Sequence, residues 1–310
     1  MARKKLSEYK AKQIVLPSLE LPFEGKYIDV SQSPQILDGL SSGKTYVIKV
    51  DQGIKGRMKK GLVIVNVISD EVITEISKLK AQGYEHLFIE EFIPHADDQE
   101  SFISLERERE GIKVYYSNKG GIHVENNTTD IKSEYISPSV ISDIADHLHV
   151  PSSFIDNLIT TFEANYFSFL EINPLVVIQN KIYILDLAVE VDSAGEFFVQ
   201  NSWSRNDYVQ EKRKTLEEQE VENLAKTSQT QASFTLNVLN PNGSIFLLLS
   251  GGGASLVLAD ELYNLGYGKE IANYGEYSGN PSSQETYLYT KNLLKILIKS
   301  TAIKKTLIIG

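Results

Sequence analysis

Residues 169–187 read FLEINPLVVIQNKIYILDL. Leu170, Ile172, Leu175, Val176, Val177, Ile182, Ile184 and Leu185 are the material of buried strands, yet Glu171, Asn173 and Asp186 interrupt them. Side chains alternate along a strand, so Glu171 and Asn173 share one face. Gln179 and Asn180 are the only turn-like residues between the two runs. A two-residue loop there sets Asn173 directly opposite Asp186 across an antiparallel hairpin. Partners of that kind hold their Cβ atoms about 4.5–5.5 Å apart. Two readings fit. In one, an amide oxygen and two carboxylates converge as hard ligands for Mg²⁺, which keeps waters and shares phosphate oxygens. In the other, they are a solvated polar sheet face, which asks for more polar neighbours than the apolar flanks supply.

The chain around this hairpin has 310 residues, 42% of them hydrophobic, enough for two or three domains with real cores. A net charge of −10 argues against nucleic acid or an anionic membrane as a general partner, so any phosphate site must be a local basic feature. There is no cysteine, which excludes disulfides, thiolate metal sites and thiol nucleophiles. The opening MARKKLSEYKAKQIVL is a polar helix start, with no apolar run of the secretory kind. No segment approaches the roughly 18 apolar residues of a membrane span. The expectation is a soluble cytoplasmic protein.

Strands are expected at 44–50, 61–68 and 86–93, with a helix at 70–83 that Asp70 can cap and Gly83 ends. ESFISLERE, IKVYYS and GIHV, separated by glycine-bearing turns, read as an antiparallel sheet over 100–124. Two helices follow around 138–165, then the hairpin. Residues 201–232 are polar and charged and read as a linker or surface excursion, with the charge run a solvated helix or loop. A second unit then sets the short strand SIFLLLS before Gly251, Gly252 and Gly253, with Leu258, Leu262 and Leu265 at helical spacing behind them. Strand, glycine turn and helix point backbone N–H groups at an anion. A later helix over 282–300 leads to the strand KKTLIIG, where a βα loop would begin. The expected fold is α/β. A first domain is expected over 1–232, with a small subdomain at about 14–93. A Rossmann-like, flavodoxin-like domain is expected at 233–310, cut short or completed elsewhere.

No G-x-x-x-x-G-K-[ST] is present, and GGG is not G-x-G-x-x-G. Lys49 lies in an apolar strand, where it can set a point charge on phosphate oxygens. Arg57 follows in a basic, glycine-containing loop able to fold over a nucleotide. Glu100 follows the strand FIEEFIP, a hinge that could offer backbone groups to a base and a carboxylate to a ribose. Singly, each has a bland reading: an edge-strand lysine, a solvated arginine, one acid of the run ADDQE. Lysine strand, covering loop, hinge and acidic hairpin in this order describe an ATP-grasp nucleotide site.

The segments FLEINPLVV with YILDLAVEVD, IEEFIPH, LLSGGGAS and ANYGEYSGNPSSQETY resemble those of the ATP-citrate lyase family. That family belongs to the wider acyl-CoA synthetase group that includes the succinyl-CoA synthetase β subunit. The resemblance runs across essentially the whole chain, and ANYGEYSG marks the citrate-using branch. It implies that ATP phosphorylates a histidine, that the phosphoryl group passes to citrate, and that CoA displaces phosphate to give citryl-CoA. A citrate-synthase-like module then cleaves this to acetyl-CoA and oxaloacetate. Carried over residue by residue, Lys49 and Arg57 would bind ATP phosphates, Glu91 and Ile93 would meet adenine through their backbones, and Glu100 would hold the ribose. Asn173 and Asp186 would bind Mg²⁺, and Glu171 would face the phosphohistidine. Gly251, Gly252, Gly253 and Ala254 would open the phosphate-facing helix, and Gly279 would lie at the citrate site.

Met58 stands where the family often has glycine, and Glu91 where proline is frequent. The family's phosphorylated histidine lies in a Gly-His-Ala-Gly-like stretch. None of His86, His95, His123, His147 or His149 has that context. The resemblance therefore implies partners: a portion bearing that histidine, the CoA site and the citrate-synthase-like module, in an oligomer, with neither nucleic acid nor membrane. A citryl-CoA synthetase or a succinyl-CoA synthetase β subunit is the alternative, and a non-catalytic nucleotide-binding regulatory subunit is a third reading.

Overall fold

The computed structural model describes residues 3–30, 40–121, 130–199, 202–209 and 214–310. The chain divides into two compact units, Met1–Glu211 and Lys212–Gly310.

The first unit opens with strand β1 (Arg3–Lys5) and helix α1 (Glu8–Ser18). The Ser7 side chain caps α1 by accepting the Lys10 N–H. Asp51, just past the end of a strand, accepts the next orphan donors, the N–H groups of Glu8 and Tyr9, at 2.7 and 3.0 Å. Ala11, Val15 and Leu16 of α1 and the following Leu19 are buried in the larger of the unit's cores.

A four-stranded antiparallel sheet orders β2 (Lys26–Asp29), β5 (His86–Glu91), β3 (Thr45–Val50) and β4 (Val63–Ile68). Helix α2 (Val72–Ala81) covers it with Val72 and Leu79. The helix expected from residue 70 starts at Val72. Ser69–Glu71 form a 3-10 turn instead, and Asp70 caps nothing there because its carboxylate takes the Ser69 hydroxyl. The small subdomain begins at Lys26 rather than about residue 14, because α1 gives its apolar face to the larger core.

That larger core lies against a seven-stranded antiparallel sheet of order β1, β11 (Leu187–Asp192), β9 (Phe167–Ile178), β6 (Glu100–Arg107), β7 (Ile112–Ser117) and β8 (Lys132–Tyr135), with β10 (Lys181–Ile184) beside β9. Helices α3 (Pro138–Leu148) and α4 (Ser152–Ala164) pack on it through Ile144, Leu148, Leu158 and Phe162. Of the expected segment GIHV, Ile122–Val124, and with it His123, lies outside the described residues. The hairpin takes the expected register. Ile178 faces Lys181, Leu175 faces Ile184, and beyond them Ile172 faces Leu187. Gln179 and Asn180 both adopt positive φ, 50° and 61°, as a type I′ turn requires.

The second unit begins earlier than residue 233. The polar stretch expected as a linker folds, over Leu216–Thr227, into helix α5. This helix docks by carboxylates as much as by apolar contact. Val221 is buried, Glu218 completes a capping box with Thr215 and accepts the Val238 N–H at 2.7 Å, and Glu217 binds Lys299 at 2.6 Å. Strand β12 (Ser233–Val238) pairs antiparallel with β14 (Asn273–Ser278), and β13 (Ile245–Leu248) pairs parallel with β15 (Thr306–Ile309). Bridges at Ile245–Ile271 and Ser250–Tyr277 join the two pairs. Helix α6 (Gly252–Leu262) follows β13 and packs Leu258 and Leu262 against Leu247, Leu249 and Ile271, while Leu265, expected in that stripe, is exposed beyond the helix end. Helix α7 (Ser283–Lys299) precedes β15. Among the described residues no helix is long and apolar enough to cross a membrane.

Candidate functional site

The acidic hairpin and the small sheet meet at one buried ionic cluster in the first unit. Asn173 and Asp186 are opposed, with the Asn173 N–H donating to the Asp186 carbonyl at 3.2 Å. Lys49 runs from β3 to the carbonyl of Leu185, the residue before Asp186, and its Nζ lies 2.6 Å from Glu8 and 2.7 Å from Glu90. Arg57 Nη2 binds Asp186 at 2.8 and 2.9 Å and Glu8 at 2.5 Å, and Nη1 donates to the Val50 carbonyl. Lys12, one turn along α1 from Glu8, is fully buried. It donates to both Glu90 oxygens at 2.7 and 2.8 Å and to the Leu185 carbonyl at 3.1 Å. Lys12 and Lys49 both stand over the Phe88 ring.

These groups set one another's charge. Burial alone would raise the Glu8 carboxyl, but Lys49, Arg57 and Lys12 outweigh it and hold Glu8 well below the usual carboxylate range. Burial opposes the charge on Lys49 and on Arg57, and the surrounding carboxylates, Glu8 first, hold both above their ordinary values. Asp51 is pushed up to about 6 by burial and by the neighbouring Glu8. Cations and carboxylates are interleaved through the cluster.

A second cluster continues from Asn173. Its Oδ1 accepts the Gly121 N–H at 2.6 Å. Gly121 has φ +80°, and a Cβ there would lie 1.8 Å from Glu100 Oε2, so only glycine fits. Glu100 Oε1 is 3.1 Å from His95 Nε2, and His95 Nδ1 lies 2.7 Å from the Ile93 carbonyl, which accepts. Glu91 pairs its backbone with Tyr46 and its exposed carboxylate with Lys44. Glu171 sits two residues before Asn173, between Ala188 and Ser104 on the flanking strands. A run of contacts thus leads from His95 and Glu100 at the hinge past Gly121 to Asn173 and Asp186 of the hairpin, and from there to Arg57.

Among the described residues no group of three or more His, Cys, Asp or Glu side chains could hold a metal ion by itself. Asn173 and Asp186 still fit Mg²⁺, which takes one or two protein oxygens and fills the rest with water and phosphate. The half-exposed Asp186 carboxylate already binds a cation, the Arg57 guanidinium.

In the second unit Gly251, φ +84°, turns the chain from β13 into α6 and donates its N–H to the Tyr277 carbonyl. No side chain caps this helix, in contrast to α7, which Ser282 and Glu285 close with a capping box. Gly252 stands against Glu276, whose oxygens would lie 3.1–3.2 Å from a Cβ there. Gly253 and Ala254 are exposed on the first turn. Gly279, φ +77°, opens the loop that enters α7.

Glu8, Lys12, Glu90, Asp51 and His95 were not singled out from the sequence. Their signal was present for α1. Glu8 and Lys12 fall on the same helical stripe as Ala11, Val15, Leu16 and Leu19, and charged residues on a buried stripe call for partners.

Comparison with known proteins bears on both units. The mouse ATP-citrate synthase is 36% identical over 291 residues, covering 86% of this chain and 26% of the mouse protein. The chain therefore spans about a quarter of the animal relatives it matches. The Arabidopsis thaliana ATP-citrate synthase alpha chain protein 2 is 30% identical over 321 residues, covering 94% of this chain and 75% of the plant chain. The structure of ATP citrate lyase from Methanothrix soehngenii, in complex with citrate and coenzyme A, superposes with a TM-score of 0.75. It is 25% identical, and the match covers all of this chain and 80% of the other. The family model described as ATP citrate lyase citrate-binding matches residues 212–310, which is the second unit. With the model described as ATP-citrate synthase ATP-grasp domain matching residues 2–203, the chain belongs to the ATP-citrate synthase family.

Proposed function

We propose that this chain is the nucleotide- and citrate-binding portion of an ATP-citrate lyase, which uses ATP to activate citrate through a phosphohistidine and citryl phosphate. The observation that carries this reading is the cluster in which Lys49 meets the Leu185 carbonyl and Arg57 meets the Asp186 carboxylate on the Asn173–Asp186 hairpin. Lys49 and Arg57 bind the ATP phosphates, and Arg57 exchanges its contact with the half-exposed Asp186 for a phosphate oxygen. Glu91 and Ile93 present backbone groups to adenine, and Glu100 takes the ribose, with His95 fixing its carboxylate. Asn173 and Asp186 hold Mg²⁺, which when bound screens the phosphate charge and orients the terminal phosphoryl group. Glu171 meets the histidine that receives that group. The uncapped N-terminus of α6, at Gly251, Gly252, Gly253 and Ala254, supplies oriented N–H groups to the transferred phosphoryl oxygens. Gly279, at the entry to α7, contacts citrate. The family assignment of the second unit and the citrate and coenzyme A bound by the Methanothrix enzyme support this choice of substrates. The acceptor histidine, the coenzyme A site and the citrate-cleaving module belong to a partner portion, and the assembly is an oligomer working in the cytoplasm.

Asp186→Ala tests the metal assignment. By calorimetric titration its affinity for Mg-ATP is expected to fall by about tenfold or more, the scale of a lost charge-assisted contact, with the fold intact by circular dichroism. Equal Mg-ATP affinity in both proteins would remove Asp186 from the metal site.

A further inference from the structure

A carboxylate in the first turn of a helix would ordinarily face water. Glu8 is 4% exposed and holds three cations: Lys49 at 2.6 Å, Arg57 at 2.5 Å and Lys12 at 3.3 Å. Its oxygens divide the work. Oε1 takes Lys49 and Lys12, and Oε2 takes Arg57. Lys49 stands on strand β3 and Arg57 on the loop after it, so a single carboxylate fixes the separation of two cations that the backbone alone leaves independent. Glu8 is itself anchored. Its N–H donates to Asp51 at 2.7 Å, and Ser7 caps its helix. Lys12, behind it, is tied to Glu90 and to the Leu185 carbonyl.

The partners of Arg57 differ in exposure. The Glu8 side chain is 3% exposed and that of Asp186 is 40% exposed. An arriving phosphate reaches the Asp186 side of the guanidinium and leaves the Glu8 side untouched. Arg57 can thus release Asp186 without losing its place.

We propose that Glu8 is the positioning residue of this nucleotide site, setting Lys49 and Arg57 at the spacing that two phosphate groups require. The proposal rests on the nucleotide reading above and adds a residue that touches no ligand. A purely structural carboxylate would stabilise the fold without favouring phosphates over the nucleoside, and that difference is measurable.

The experiment is calorimetric titration of the chain with Mg-ATP and with adenosine, for the native protein and for Glu8→Gln, Lys49→Ala and the double variant. Glu8→Gln should weaken Mg-ATP by about tenfold and leave adenosine within about twofold, as expected when only charge-assisted phosphate contacts are disturbed. In the double variant the loss should be clearly smaller than the product of the two single losses, because the part of the Glu8 effect that acts through Lys49 is already gone. Equal Mg-ATP affinity in Glu8→Gln, a parallel loss of ATP and adenosine, or losses that multiply would each overturn the proposal. If Glu8→Gln does not fold, Glu8→Asp decides: it keeps the charge, shortens the reach, and should still weaken ATP selectively. A native chain that binds adenosine but not Mg-ATP would instead overturn the phosphate reading, and this proposal with it.

Discussion

Lys49 is 4% exposed, and its charge is held by Glu8 and Glu90 rather than by water. Replacing it by alanine removes one charge from the place proposed for phosphate. Charge-assisted contacts of this kind are worth roughly 1.5–3 kcal/mol, so ATP binding should weaken by about one to two orders of magnitude. Adenosine binding, measured in the same titration, should hardly change. A parallel fall for adenosine would make Lys49 structural. Lys49 was legible in the sequence because a lone lysine between Ile48 and Val50 contradicts its strand. Arg57 was legible from its basic, glycine-bearing loop. Glu8 and Lys12 lie on the apolar stripe of α1 but were passed over, because SEYKAK has the composition of a solvated helix start. Their burial comes from partners 41 and 78 residues away, Lys49 and Glu90, which no local pattern reveals.

The hairpin of β9 and β10 was readable to the residue because turn and face constrain the register together. Two positive-φ residues leave one pairing, and a slip of one position would turn Ile172 and Leu175, both buried, to the other face. Helix α5 was read only as a solvated helix or loop within a linker, and its docking was missed for the opposite reason. Its apolar content is low, and its anchoring runs through Glu217 and Glu218, so a periodicity built on hydrophobic residues has little to detect. Strand β14 was also missed, since its alternation is broken by Gly275, which a close approach to the Thr235 carbonyl requires. Carboxylate anchoring recurs at α7. Glu285 accepts from Ser228, Thr230 and both the N–H and the hydroxyl of Ser282. These hydrogen bonds hold its carboxyl down, from 4.5 to about 2. A lowered folded-state value means that the stabilisation is fully present above the unfolded value of 4.5 and is lost as pH falls toward 2. Glu285→Gln should therefore be less stable than the native protein at neutral pH, and the gap should narrow as denaturation is repeated at successively lower pH below 4.5. A gap independent of pH would mean that the hydroxyl contacts do not depend on the charge.

The first unit carries the proposed nucleotide contacts and a metal-compatible hairpin and the second an uncapped helix N-terminus, but the described histidines are placed for other work. His86 pairs with the Tyr27 hydroxyl at 2.6 Å, His95 lies between Ile93 and Glu100, His147 stands edge-on to Tyr116, and His149 ends α3 in a left-handed conformation. His123 lies outside the described residues, and its sequence context is not Gly-His-Ala-Gly. Phosphoryl transfer depends on holding the acceptor in line with the leaving phosphate, so positioning carries most of the catalysis. His95, at the hinge, binds Ile93 and Glu100, the residues proposed for adenine and ribose, rather than those proposed for the phosphates. A polypeptide of this sequence is therefore expected to bind Mg-ATP yet take up no acid-labile phosphate from γ-labelled ATP, and to make no citryl-CoA when citrate and coenzyme A are added. Supplying a second chain with the histidine loop and the coenzyme A site should bring both activities together. Labelling followed by peptide mapping reads the outcome directly. Acid-labile phosphate on one of the chain's five histidines would place the acceptor within this sequence, with His95 the first to examine, since it alone among the described histidines touches a residue of the proposed nucleotide site.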